Sequence, residues 1–177
     1  MELVKFFGKS NIVEKSNIRL AKEGDKEAFT SLMQENLKSM YRVAKGILKR
    51  EEDVEDGIQN TILIAFNKLG TLKEEKYFKT WLTRILINEC NKIYEINNKK
   101  HINVEKEAYT VDETENIDLF NAISKLPNEI RVTTILFYFD DMSYKDIAKI
   151  LGIAEGTVKS RLFRAKERLY TMLNDSE

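Results

Sequence analysis

The 177-residue chain contains one cysteine, Cys90, and one histidine, His101. A lone thiol excludes an internal disulfide, and with a lone imidazole there is no cysteine and histidine set to hold a zinc ion. Proline occurs once and glycine seven times, so little interrupts the helical patterns described below. No apolar run approaches the roughly 18 residues that a membrane-spanning helix needs. The opening MELVKFFGKSNIVEKS has too short an apolar stretch for a secretory signal. These absences point to a reducing cytoplasm. Net charge is missing as well, since 29 basic residues balance 29 acidic ones. Any attraction to a polyanion must therefore come from local segregation of charge. Paired carboxylates, a glycine-rich phosphate loop and a nucleophile with a partnered base do not stand out, which leaves catalysis, a cofactor and a small-molecule substrate without candidates.

What is present is helical periodicity. Apolar residues make up 42% of the chain, enough for a core, and they recur at spacings of three and four rather than two. The pattern predicts helices over 25–48, 52–69, 77–96, 118–125, 128–139, 143–151 and 155–173. Between them NNKKHINVEKEAYTVDETEN, residues 97–116, loses its periodicity and runs from basic to acidic, the composition of a linker. The expectation is an all-α protein of two small helical domains, 19–97 and 118–177, joined by a flexible linker over 98–117 and preceded by a loosely held segment over 1–18.

In the second domain Ser143 followed by Asp146 makes a capping box at a helix start. That helix carries Ile147, Ala148, Ile150 and Leu151 and meets Gly152, a residue suited to the left-handed turn that ends helices. Another helix follows within a few residues, with Glu155 suited to the positive end of its dipole. This is helix-turn-helix spacing. GTVKSRLFRAKERL, residues 156–169, holds five basic side chains. At about 100° per residue, Val158, Leu162, Ala165 and Leu169 form its buried stripe. The opposite side presents Ser160, Phe163, Arg164 and Glu167, flanked by Lys159, Arg161, Lys166 and Arg168. A solvated face has no reason to expose Phe163, whereas a helix in a DNA major groove can set a ring against a thymine methyl. Lys159 and Arg164 suit guanine edges or phosphates.

Two further faces are informative in the first domain. In YFKTWLTRILINECNKI the residues Phe78, Leu82, Ile85, Leu86, Cys90 and Ile93 form a core side. Tyr77, Trp81, Arg84, Asn88 and Lys92 line another edge at spacings of four, three, four and four. Rings interleaved with cations suit single-stranded nucleic acid, with bases stacking on rings and cations holding the backbone. Trp81 also fits a core helix crossing. In EEDVEDGIQNTILIAFNKLG the buried stripe is Val54, Ile58, Ile62, Ala65 and Leu69, and the reverse carries Asp53, Asp56, Asn60, Leu63, Ile64 and Asn67. Acids repel DNA, so aliphatics among them point to a protein partner, although Leu63 or Ile64 also fits packing on a neighbouring helix.

From about residue 20 to 173 the chain resembles an extracytoplasmic-function (group 4) sigma factor of bacterial RNA polymerase. DVEDGIQNTILIAFNKL resembles region 2.2 of the family, FKTWLTRILINECNK resembles regions 2.3 and 2.4, and LPNEIRVTTILFYFDDMSYKDIAKILGIAEGTVKSRLFRAKERL resembles region 4. The resemblance implies a non-catalytic specificity subunit that binds core polymerase through the β′ clamp helices and the β flap. It assigns core binding to Asp53, Asp56, Gln59, Asn60, Leu63 and Ile64. The −10 element falls to Tyr77, Trp81, Arg84, Asn88 and Lys92, with Asn88 at the position that captures a flipped base. The −35 element falls to Thr157, Lys159, Ser160, Arg161, Phe163 and Arg164. It also implies an anti-sigma partner, often tethered to the membrane, that holds the factor until a signal releases it. Gly57 and Asn60 depart from the family, which usually has an aliphatic and an acid there. The alternative reading is an autonomous helix-turn-helix regulator that dimerises on a palindrome.

Overall fold

The computed structural model describes residues 17–99 and 117–174, and every regular element among them is helical. The expected N-terminal segment and linker lie largely outside these residues. The elements are α1 (17–22), α2 (Lys26–Ile47), α3 (Glu51–Lys68), α4 (Phe78–Lys99), α5 (Ile117–Ser124), α6 (Asn128–Tyr138), α7 (Tyr144–Leu151) and α8 (Glu155–Asn174), with short 3₁₀ turns at Leu69–Thr71 and Glu75–Tyr77. Helix starts are fixed by local chemistry. The Asp25 carboxylate accepts from the backbone of Glu27 at 2.9 Å and Ala28 at 3.0 Å, a cap that contributes about 1 kcal/mol.

In the first half α2, α3 and α4 pack around Leu32, Val43, Val54, Ala65, Leu82 and Leu86. Gly57 shows why α3 and α4 approach closely: a Cβ there would lie 3.0 Å from Cys90 Sγ. Its place is a buried helix crossing, not the partner-facing surface. In the second half α6, α7 and α8 close over Ile135, Ile147, Val158, Leu162 and Ala165.

The two expected bundles form, yet they do not stand apart. Helix α6 packs on α2 and α7 packs on α4, and the buried residues of both halves make one continuous core. Gly46 permits this, because a Cβ there would lie 2.6 Å from Ile135 Cδ1. Polar contacts finish the seam. Arg131 Nε donates to the Gly46 carbonyl at 2.7 Å, Ser39 Oγ to Asp140 Oδ1 at 2.7 Å, Lys79 Nζ to the Asp140 carbonyl at 2.8 Å, and Arg42 to the Phe139 carbonyl at 3.2 Å.

Candidate nucleic-acid and polymerase interfaces

The expected cap of α7 forms with one change in wiring. Asp146 N donates to Ser143 Oγ at 3.1 Å, and the Ser143 hydroxyl in turn donates to Asp146 Oδ2 at 2.6 Å, so the carboxylate holds the capping hydroxyl. Gly152 ends α7 at φ 65° and ψ 35°, the left-handed geometry that a side chain would strain.

On α8, Val158, Leu162 and Ala165 are buried and Leu169 is half-buried. That anchors the opposite side outward, where Phe163 is 63% exposed beside exposed Lys159, Ser160 and Arg164. Ser160 spends its hydroxyl proton on the Thr157 carbonyl at 3.0 Å, leaving acceptor lone pairs toward a ligand. Lys159 Nζ lies 5.7 Å from the Tyr144 ring centroid, which holds the cation over the first helix of the motif. Two members of the expected set sit elsewhere. Thr157 is half-buried in the first turn. The Arg161 side chain, 16% exposed, pairs with Glu129 of α6 at 2.6 Å. Its position is near the buried stripe, and it acts as a tie between helices rather than a free reading group.

The α4 edge divides too. Trp81, Arg84, Asn88 and Lys92 line one open groove of about 650 Å³ between α3 and α4, a size suited to a small group rather than a duplex. Trp81 is half-buried, packed near Phe78 with ring centroids 6.1 Å apart, and it still contributes to the groove wall. Both readings of this residue hold at once. Tyr77 is not in the groove. It falls in the 3₁₀ turn, where about three residues make a turn and the helical face is lost, and it lies between Lys76 and Lys149 at 4.9 and 5.5 Å from its centroid. The α3 side supplies Ile64 and Lys68, and Glu89 also lines the groove while pairing with Lys92 at 2.6 Å. Lys68 was legible as the residue one turn beyond Ile64; nothing in the spacing marked Glu89.

On the outer face of α3, Asp56, Gln59 and Asn60 are exposed and Leu63 is 62% exposed. Ile64 instead turns into the groove, and Asp53 is half-buried and accepts from Asn97 Nδ2 at 2.8 Å. Gln59 also edges an apolar groove whose α2 wall is Gln34, Leu37, Lys38 and Tyr41. Leu37 and Tyr41 escaped the sequence analysis because their helix was given a range, 25–48, and none of its faces was resolved. Cys90 is buried, and that burial, with the neighbouring Glu89 charge, pushes its thiol up to about 12, the state of an inert structural thiol. No helix among the described residues is long and apolar enough to cross a membrane.

Comparison with known proteins bears on both interfaces. The family model for Sigma-70 region 2 matches residues 32–95, and that for Sigma-70 region 4 matches residues 117–169. The extracytoplasmic-function sigma factor SigM of Mycobacterium tuberculosis is 30% identical over 168 residues, covering 90% of this chain and 86% of that protein. The chain belongs to the extracytoplasmic-function sigma factors. Another relative of this sigma factor is SigW of Bacillus subtilis, 29% identical over 91% of this chain and 97% of its own length. Among solved structures, the sigma factor RpoE in complex with the anti-sigma factor NepR from Bartonella quintana superposes with a TM-score of 0.69 at 28% identity, over 80% of this chain and 95% of that one. CnrH in complex with the cytosolic domain of CnrY shares the fold, with a TM-score of 0.70 at 22% identity over 93% of this chain and 99% of that one. The α3–α4 groove falls within region 2 of the sigma factor, and α8 falls within region 4.

Proposed function

We propose that this sigma factor directs promoter-specific initiation by reading a melted −10 element in the α3–α4 groove and a duplex −35 element with α8. The observation that carries this division is that the two faces differ in kind. Trp81, Arg84, Asn88 and Lys92 share an open groove of about 650 Å³, room for an extruded base, whereas Phe163 and Arg164 stand outward on a helix, as major-groove readout requires. Asn88 offers both a donor and an acceptor to a base edge, Trp81 offers a stacking surface, and Arg84, Lys92 and Lys68 hold the phosphates.

Asp56, Gln59, Asn60 and Leu63 dock on core polymerase at the β′ clamp helices, and region 4 meets the β flap. The polymerase supplies all catalysis. A formal net charge of zero fits a subunit that reads DNA only when assembled, since a strongly basic chain is titrated by non-specific sites. The factor works in the cytoplasm under an anti-sigma protein, tethered to the membrane, that covers its polymerase-binding surfaces. The relative crystallised with an anti-sigma factor supports that control.

Run-off transcription with purified core on a promoter library tests the reading. Specific transcripts should appear only with the sigma factor present. Asn88→Ala should impair strand opening, measured as permanganate reactivity of thymines, with upstream binding retained; Arg164→Ala should weaken upstream recognition. Indistinguishable defects contradict the assignment.

A further inference from the structure

A groove that takes nucleic acid gains from cations, yet the α3–α4 groove also holds carboxylates. Glu89 and Glu95 line it together with Arg84, Lys92 and Lys68. Glu95 and the three cations are exposed, whereas the Glu89 side chain is only 12% exposed. A charge shielded from water acts on its neighbours more strongly than one that solvent and salt can screen. Glu89 therefore keeps phosphates away from its part of the groove and leaves them to the cations. What can approach it is a neutral group with a proton to donate.

The carboxylate is held ready for such a group. Glu89 and Lys92 are three residues apart on α4, which makes them neighbours on the helix surface, and Lys92 Nζ donates to Glu89 Oε1 at 2.6 Å. Oε2 accepts no hydrogen bond among the described residues. One turn back, half-buried Ile85 lines the groove as well, and its side chain has nothing to donate. Asn88, the preceding residue, is exposed in the same groove. Its amide and the Glu89 carboxylate are thus offered to one occupant.

The bases differ in what they can give a carboxylate, which accepts and cannot donate. Cytosine, adenine and guanine each carry an exocyclic amine, whereas thymine presents carbonyl oxygens. Opposite a thymine carbonyl the Oε2 lone pairs meet like polarity and go unpaired, and a site built for a hydrogen bond rejects a ligand that cannot make it.

We propose that Glu89 is a specificity-determining residue of this sigma factor: it accepts a hydrogen bond from the exocyclic amine of the extruded −10 base and selects against thymine at that position. The inference rests on the reading of the groove given under the proposed function and adds to it the class of base. Lys92 gives one ammonium proton to Glu89 and keeps two for phosphate.

The test is abortive transcription with core polymerase at limiting sigma factor, on promoters already melted across the −10 element so that duplex stability does not enter. One −10 position at a time, in each strand, carries cytosine, adenine, guanine or thymine. With the unmutated sigma factor one position should disfavour thymine relative to cytosine by about five- to tenfold, the scale of a single wrong base. There 2-pyrimidinone, which is cytosine with its amine replaced by hydrogen, should fall to the level of thymine, a result that needs no variant protein. Glu89→Gln keeps the size of the side chain and an oxygen for Lys92, but it adds a donor for a thymine carbonyl and should bring thymine level with cytosine. A loss in Glu89→Gln spread evenly over the four bases is what a mere partner of Lys92 would give, and it overturns the proposal. So does 2-pyrimidinone that works as well as cytosine. A −10 element at which no base matters overturns the reading of the groove itself, whereas one that is base-dependent without a thymine penalty overturns the role of Glu89 alone.

Discussion

Arg131 of α6 reaches across the seam to the Gly46 carbonyl at 2.7 Å and also donates to the carbonyls of Ser124 and Leu126 at 3.0 and 2.8 Å. One guanidinium thus closes the α5–α6 corner and ties it to the last turn of α2. Removing it leaves three carbonyls to find other partners. Arg131→Ala should cost about 1.5–3 kcal/mol of stability, the range for hydrogen bonds to charged groups. Urea unfolding with an unchanged slope and a lowered midpoint checks this, and a midpoint within error of the unmutated chain contradicts it.

Asp140 makes stability depend on pH in a direction opposite to most carboxylates. Burial raises its pKa; the Ser39 hydrogen bond and the Lys79 and Arg42 charges offset this only in part, and Asp141 adds to the rise. The native state therefore holds the proton to higher pH than the unfolded chain. Its contribution is fully present below the unfolded value of about 3.9 and is lost as pH rises through the folded value. Glu51 has the reverse sense. Burial raises its pKa, but hydrogen bonds from Lys45 and Tyr41 and the Lys45 charge leave it lowered overall. The stability of the unmutated chain minus that of Asp140→Asn isolates the first effect. That difference should decline as pH rises from about 4, and a flat or rising difference contradicts the assignment.

Gly57 sets the spacing of α3 against α4, and with it the groove between them. A Cβ at 3.0 Å from Cys90 Sγ is tolerable if the sulfur gives way, and alanine gains up to about 1 kcal/mol of helix propensity, so Gly57→Ala should be near neutral. Gly57→Leu overfills the crossing and should cost about 1–3 kcal/mol. Thermal unfolding of the two variants side by side measures the contrast; equal stability would mean that the crossing is looser than its geometry indicates.

The outward face of α8 was legible because it depends on local periodicity. Once Val158, Leu162 and Ala165 are known to be apolar at spacings of four and three, the position of Phe163 follows, and the Ser143 cap and Gly152 turn frame the helix without tertiary help. The same reasoning misplaced Tyr77, since the turn type just before α4 shifts its direction and a 100° wheel does not see that. It also took Arg161 for a free cation, because Glu129, its partner, lies 32 residues away. The seam was invisible for the same reason. Ser39 and Asp140 are 101 residues apart, and Arg42, Lys79 and Arg131 look like ordinary surface cations until the second half is placed against them. Gly57 was noted only as a departure from the family and Gly46 not at all, because which helix each admits is a tertiary fact.

The most direct measurement of the whole account is a gel shift of one duplex promoter with and without core polymerase. The sigma factor alone should leave the duplex unshifted at concentrations where sigma plus core shifts it with sequence specificity. Arg164→Ala should weaken that complex, and Asn88→Ala should leave a shifted complex that fails to open. Tight, sequence-specific binding by the chain alone, or a shift by core that this chain does not change, would contradict the account.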